Sequence, residues 1–280
     1  MKITCYSQFY TDRKLHGTEY AARHASEMGF DSVEYLSAVP SGNIRTADEE
    51  RKILKSYGLD VACYSVMSQL FAPDQNELER QMFEEIQTAA ALGSKLFHHT
   101  LYPHISMEKI QNSYDEVFDR IVDSAERIAN KCSEMGLLCL YEPQGMYFNG
   151  VDGLKRIYDA LKARGCDIGI CGDFGNSLFV DVDPYDVFKS FSRDIRHVHV
   201  KDYMTSNTPL TDRKSFRSRG GKFIYEASLG EGVVDFSRGF DELKKAGYDG
   251  AVSFEINGSD EELTKAIRFI KNIAAKPRDI

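Results

Sequence analysis

At 280 residues the chain is long enough for one barrel-sized α/β domain or two modest ones, and either buries a large core. Its 35 Lys and Arg against 43 Asp and Glu leave a net charge of −8, which argues against a nucleic-acid partner, because gripping a phosphate backbone takes a basic surplus. No run approaches the ~18 apolar residues of a membrane span, and the start MKITCYSQFY lacks the apolar core of a signal peptide, so a cytoplasmic protein without a membrane partner is expected.

In chain order, eight β-rich runs read as strands: ITCYSQF, SVEY, VACYSVM, KLFHHT, LLCLYEP, IGICGDF, IRHVHVKD and AVSFEI. Between them, apolar residues at three- and four-residue spacing predict helices such as 77–92, 108–135 and 152–164. Gly29, Gly58, Gly93, Gly136, Gly165 and Gly247 stand where helix gives way to strand, and each is expected to cap a helix in the left-handed conformation. Strict alternation of strand and helix demands a parallel sheet, and eight units in this length predict a closed (β/α)8 TIM barrel. An open doubly wound sheet is disfavoured because no G-x-G-x-x-G follows the first strand. No linker or composition shift divides the chain, so residues 1–280 read as one domain. The six cysteines form no C-x-x-C pair and are expected as buried free thiols, with an oxidised pair left open. One stretch, 203–232, is irregular, and its Arg213, Lys214, Arg217, Arg219 and Lys222 concentrate positive charge after the seventh strand. Its length suits a lid or binding element over the catalytic face, weighed against a plain solvated loop or subunit contact.

Catalytic residues of such barrels come from the C-terminal ends of strands, and the two-residue period of a strand decides which side chains point inward. By that count four strands in sequence end inward in Glu142, Asp173, His199 and Glu255. Carboxylates converging at one mouth repel one another, and a divalent cation removes the problem. Mixed carboxylate and imidazole donors suit one Mn, Zn, Mg or Co ion. His197 is expected in a supporting or core position, while Glu34 and His99 close strands two and four and are candidates for substrate binding.

The segments GFDSVEY, LYEP, GDFGNS, HVHVKD, LGEGVVDF and GYDGAVSFE resemble the sugar phosphate isomerase/epimerase superfamily, whose xylose isomerase-like barrels include ketose 3-epimerases, inosose dehydratases and type IV apurinic endonucleases. The resemblance implies Glu142, Asp173, His199 and Glu255 as metal ligands, in agreement with strand parity. It implies proton transfer next to the carbonyl of a sugar or sugar phosphate through a metal-stabilised enediolate, with Glu142 and Glu255 as the catalytic pair. Many epimerases of this kind place a substrate-contacting histidine three residues after the metal-binding aspartate, where this chain has Asn176. Lys201, Arg217 and Arg219 are further substrate-binding candidates. An inosose dehydratase-like lyase is the nearest alternative on the same site. Apurinic-site DNA repair is disfavoured by 7 histidines and the net charge of −8, and a sugar-binding barrel without activity by retention of both glutamates. Homo-oligomerisation is left open.

Overall fold

The computed structural model of the chain describes residues 1–37, 46–110 and 112–275; Gln111, inside the predicted helix 108–135, and the last five residues of the predicted domain lie outside that range. Seven parallel strands, β1 (Lys2–Cys5), β2 (Ser32–Leu36), β3 (Asp60–Val66), β4 (Leu96–His99), β5 (Leu138–Tyr141), β6 (Ile168–Asp173) and β7 (Ile195–Val200), are followed by a small antiparallel sheet of β8 (Asp202–Ser206), β9 (Phe216–Arg217) and β10 (Phe223–Ala227). The eighth barrel strand, β11 (Ala251–Phe254), pairs with both β7 and β1 and closes the ring. This is the expected (β/α)8 barrel.

Helices α1 (Ser7–His16), α2 (Thr18–Glu27), α3 (Ala47–Ser56), α4 (Gln75–Leu92), α5 (Tyr114–Glu134), α6 (Gly150–Ala163), α7 (Pro184–Phe191), α8 (Phe236–Lys245) and α9 (Asp260–Ala275) surround it. Their starts follow from sequence. Ser113 and Glu116 form a reciprocal capping box at the head of α5, after which Val117, Ile121, Ala125, Ile128 and Cys132 bury one face. The six glycines predicted to end helices all have φ between 71° and 88°, a region that any side chain with a Cβ enters only with strain. The predicted first strand runs too long: ITCYSQF is strand only to Cys5, and Ser7 opens α1, whose buried Phe9, Asp12 and Arg13 follow helical spacing.

Alternation along the strands separates two apolar regions. Cys63, Leu140 and Cys171 pack with Leu96 and Leu138 inside the barrel, whereas Phe97, Tyr141, Ile170, Val198, Val252 and Phe254 belong to the larger core shared with the helices. All six cysteines are buried and free. The inner plug is small, so the barrel above it is left to polar side chains.

The segment after β7 is structured where sequence suggested irregularity. Asp202 organises its base by accepting backbone hydrogen bonds from Tyr203 at 2.9 Å, Gly230 and Gly232 at 2.9 Å each and Val234 at 3.2 Å. A Cβ on Gly232 would overlap the Asp202 carboxylate, so the close approach requires glycine. The far end is pinned to the loop after β6, where Asp181 accepts from Ser218 Oγ at 2.8 Å and from the Gly220 amide at 2.6 Å.

Candidate active site

Glu142 and Glu255 immediately follow β5 and β11, Asp173 ends β6, and His199 lies near the end of β7. Their parity turns all four inward. One donor atom from each lies within 4.8 Å of every other. His199 Nδ1 stands 3.4 Å from Glu142 Oε2, 3.3 Å from Glu255 Oε2 and 3.9 Å from Asp173 Oδ2. Asp173 is held by backbone amides of its own loop, with Oδ1 accepting from Gly175 at 2.8 Å and Asn176 at 2.5 Å. Its other oxygen faces the cluster.

The imidazole is fixed from below. His199 Nε2 lies 3.0 and 3.1 Å from the two oxygens of Glu34, and His197 Nε2 lies 2.7 Å from Glu34 Oε2. An ionised carboxylate only accepts hydrogen bonds, so both rings present N–H to it. Ser65 also donates to Glu34. Burial alone would raise the Glu34 pKa, but His199 and His197 hold it well below the ordinary range. This arrangement commits the Nε2 hydrogen of His199 to Glu34 and leaves Nδ1 facing the cluster, buried and without a hydrogen-bond partner among the described residues.

Lys201 closes the cluster from the side, with Nζ 2.8 Å from Glu255 Oε2 and 3.2 Å from Asp173 Oδ2. Burial would depress this ammonium, yet Asp173 and Glu255 keep its pKa well above the usual value. Asp173 is nevertheless pushed up to about 6, first by burial and then, against the pull of Lys201, by the charges of Glu255 and Glu142. One ammonium does not neutralise three crowded carboxylates. An excess of negative charge around an unpartnered imidazole nitrogen fits a divalent cation: Glu142, Asp173 and Glu255 could supply oxygen donors and His199 its Nδ1, while Glu34 fixes the ring from its other nitrogen.

The remaining sequence candidates divide. Asn176 reaches the cluster, its Nδ2 donating to Glu142 Oε2 at 3.3 Å. Glu34 does not present itself to a substrate: it is fully buried beneath the mouth and spends its oxygens on His197, His199 and Ser65. His99 points the other way, into the helix-facing core against Phe97 and Tyr141. Its neighbour His98 faces the site instead, with Nε2 3.3 Å from Glu142 Oε1, as the period of two requires. Arg217 lies in the outer sheet with its guanidinium stacked on Phe223, 4.1 Å from the ring centre. Arg219 donates to the Met146 carbonyl in the loop after β5, and its amide donates to Phe179 O at 2.8 Å. Tyr6, just past β1, is a further buried neighbour, its ring 5.2 Å from that of His199. Sequence reading passed over it because it was placed inside a strand.

The fold defines a (β/α)8 barrel whose C-terminal mouth gathers carboxylates and imidazoles. The chain belongs to the xylose isomerase-like TIM barrel family, whose model matches residues 22–273. It is similar to the inosose dehydratase of Lacticaseibacillus casei, at 24% identity over 170 residues that make up 58% of this chain and 53% of that protein. The chain thus spans about half the length of the curated relative it matches. Among solved structures, D-allulose 3-epimerase from Methylomonas sp. superposes with a TM-score of 0.74 at 18% identity, covering 98% of each chain. The IOLI protein with a bound zinc atom superposes with a TM-score of 0.73 at 16% identity, covering 100% of each. No helix among the described residues is long and apolar enough to cross a membrane.

Proposed function

We propose that the chain is an enzyme that holds one divalent metal ion at Glu142, Asp173, His199 and Glu255 and moves a proton next to the carbonyl of a small sugar, sugar phosphate or cyclic polyhydroxy ketone. The observation that carries this reading is the unpartnered Nδ1 of His199 set among three carboxylates. When bound, the ion supplies positive charge where negative charge develops on the substrate oxygens. Glu142 and Glu255 project from strands on different sides of the mouth. One removes the proton and the other returns one, and delivery to the opposite face gives epimerisation. Asn176 and Lys201 orient substrate oxygens, the amide by donating or accepting and the ammonium by donating.

A dehydratase reading shares the first proton abstraction and differs in expelling a hydroxyl. The similarity to inosose dehydratase favours it specifically. The two are separated by incubating the metal-loaded protein in D₂O with an inosose, D-allulose and a ketose phosphate. Epimerisation appears as a new diastereomer carrying deuterium, dehydration as loss of water. Absence of both product and exchange across this panel, in protein shown to hold metal, would overturn the reading.

A further inference from the structure

Two loops of the mouth, one carrying Glu142 after β5 and the other carrying Asn176 after β6, are joined by a buried side chain that the proposed chemistry does not use. Asn149 is the last residue before α6 and is 5% exposed. Its Nδ2 donates to Gly145 O at 2.9 Å, within its own loop, and to Asn176 O at 2.8 Å, in the other. Its Oδ1 accepts from the Gly150 amide at 2.7 Å. Carbonyls only accept and a backbone amide only donates, so the three contacts fix which end of the side chain is nitrogen and spend both of its hydrogens.

Capping alone does not account for this arrangement. A residue that only caps a helix accepts from the second or third amide of the first turn, here Val151 or Asp152, whereas Asn149 accepts from the first. Aspartate or serine would supply that acceptor equally well, but two carbonyls on two loops need the pair of hydrogens that an amide carries. The loops also approach closely: Gly150, with φ 67°, sits where a Cβ would press at 3.1 Å on Val182 and 3.3 Å on Val180. Asn176 is thereby held from both sides, its amide donating to Asp173 Oδ1 at 2.5 Å and its carbonyl accepting from Asn149, while its side chain meets Glu142 Oε2 at 3.3 Å. We infer that Asn149 is a positioning residue: it clasps the two loops and, by fixing the backbone of Asn176, sets the direction in which the Asn176 amide is presented to substrate oxygens. The task given to Asn176 rests on the function proposed above, whereas the clasp stands on the hydrogen bonds alone.

Two measurements on the full chain test this. The first is hydrogen exchange of the metal-free protein, comparing wild type with N149S, which keeps an acceptor for the Gly150 amide but has one hydrogen for two carbonyls. Peptides spanning 143–149 and 174–180 should exchange at least ~5-fold faster in N149S, with those from β1 and α9 unchanged. Equal exchange in both loop peptides would overturn the clasp, whatever the protein converts. The second is steady-state kinetics of the metal-loaded protein on whichever panel sugar is turned over. N149S should lower kcat/KM about 10-fold, and the same substitution in an N176A background should cost less than about twofold, because its effect passes through Asn176. A loss of equal size in both backgrounds would overturn the positioning role. Wild type that converts no panel sugar would overturn the proposed function instead, and the exchange comparison then decides the clasp by itself. Should N149S fail to fold, N149G, a mild replacement at a helix N-cap, makes the same comparisons.

Discussion

The barrel mouth and the three-stranded sheet beside it are both rich in charge, but they handle it in opposite ways. At the mouth Glu142, Asp173, His199 and Lys201 are buried, and each is held by named neighbours. In the sheet segment Arg213 and Lys222 are exposed and meet carboxylates loosely, at 3.6 Å from Asp212 and 4.0 Å from Asp181, while Arg217 lies on Phe223. A buried polar atom is costly to leave unpaired, whereas an exposed one is solvated at no such cost. An unpartnered atom therefore carries information at the mouth and none in the sheet.

The largest effect expected from that contrast is on metal content. Purified protein should carry about one divalent ion per chain, and Asp173→Ala or His199→Ala should lose it, because each removes a donor that its neighbours cannot replace. Elemental analysis of the three proteins checks this, and full retention in both variants would break the contrast outright. Next in size, Glu142→Gln and Glu255→Gln keep an oxygen donor but remove the base, so turnover of whichever panel sugar is converted should fall ~10²-fold or more. Wild-type rates in either variant would remove that glutamate from the chemistry.

The sheet gives a smaller and more selective expectation. Arg219 reaches the Met146 carbonyl in the loop that follows Glu142, whereas Arg217 is engaged with Phe223 alone among its described contacts. Arg219→Ala should raise KM several-fold through that loop, and Arg217→Ala should change it little, with metal content unchanged in both. Steady-state kinetics decide it: an equal response from the two variants would mean that the sheet acts through its charge rather than its anchoring.

Where the sequence was legible, a repeating physical constraint made it so. Each helix-ending glycine marks a backbone conformation that other residues avoid, and period-two alternation placed Glu142, Asp173, His199 and Glu255 at one mouth before any coordinates. The same period, applied to KLFHHT, selects His98 over His99. That choice needed the pairing of β4 with β5, where Leu96 and His98 stand beside Leu138 and Leu140, because a four-residue strand offers too few apolar positions to fix its own faces. Glu34 looked like a mouth residue because it sits near the end of β2, and only its depth and its three donors reveal a support for His197 and His199. The outer sheet escaped notice because β9 has two residues, and Asp202, which organises its base, acts on amides almost thirty residues away in the chain.

The smallest expected effect sharpens the contrast from the surface side. His24 on α2 joins α1 and α9, with Nδ1 2.7 Å from Asp12 Oδ2 and Nε2 3.1 Å from Asp260 Oδ1. Burial would lower its pKa, but hydrogen bonds to Asp12 and Asp260 outweigh burial and raise it above 6.5. A histidine whose pKa rises on folding binds its proton more tightly in the folded state, so its contribution is complete below the unfolded value and fades as pH climbs through the folded one. Asp12 is nearly buried while Asp260 is largely exposed, so most of the gain comes from Asp12 and the whole should stay near ~0.5–1 kcal/mol. Thermal melts of wild type and His24→Gln between about pH 5.5 and 8.5 isolate it, since the chosen range lies above the ordinary titration of the carboxylates. The wild-type advantage should be greatest at the acid end and shrink toward the alkaline end by about 1–2 °C. A difference that stays flat with pH would mean that His24 holds the helices as a neutral hydrogen-bonding ring, and that its carboxylate contacts, unlike those at the mouth, serve placement more than charge.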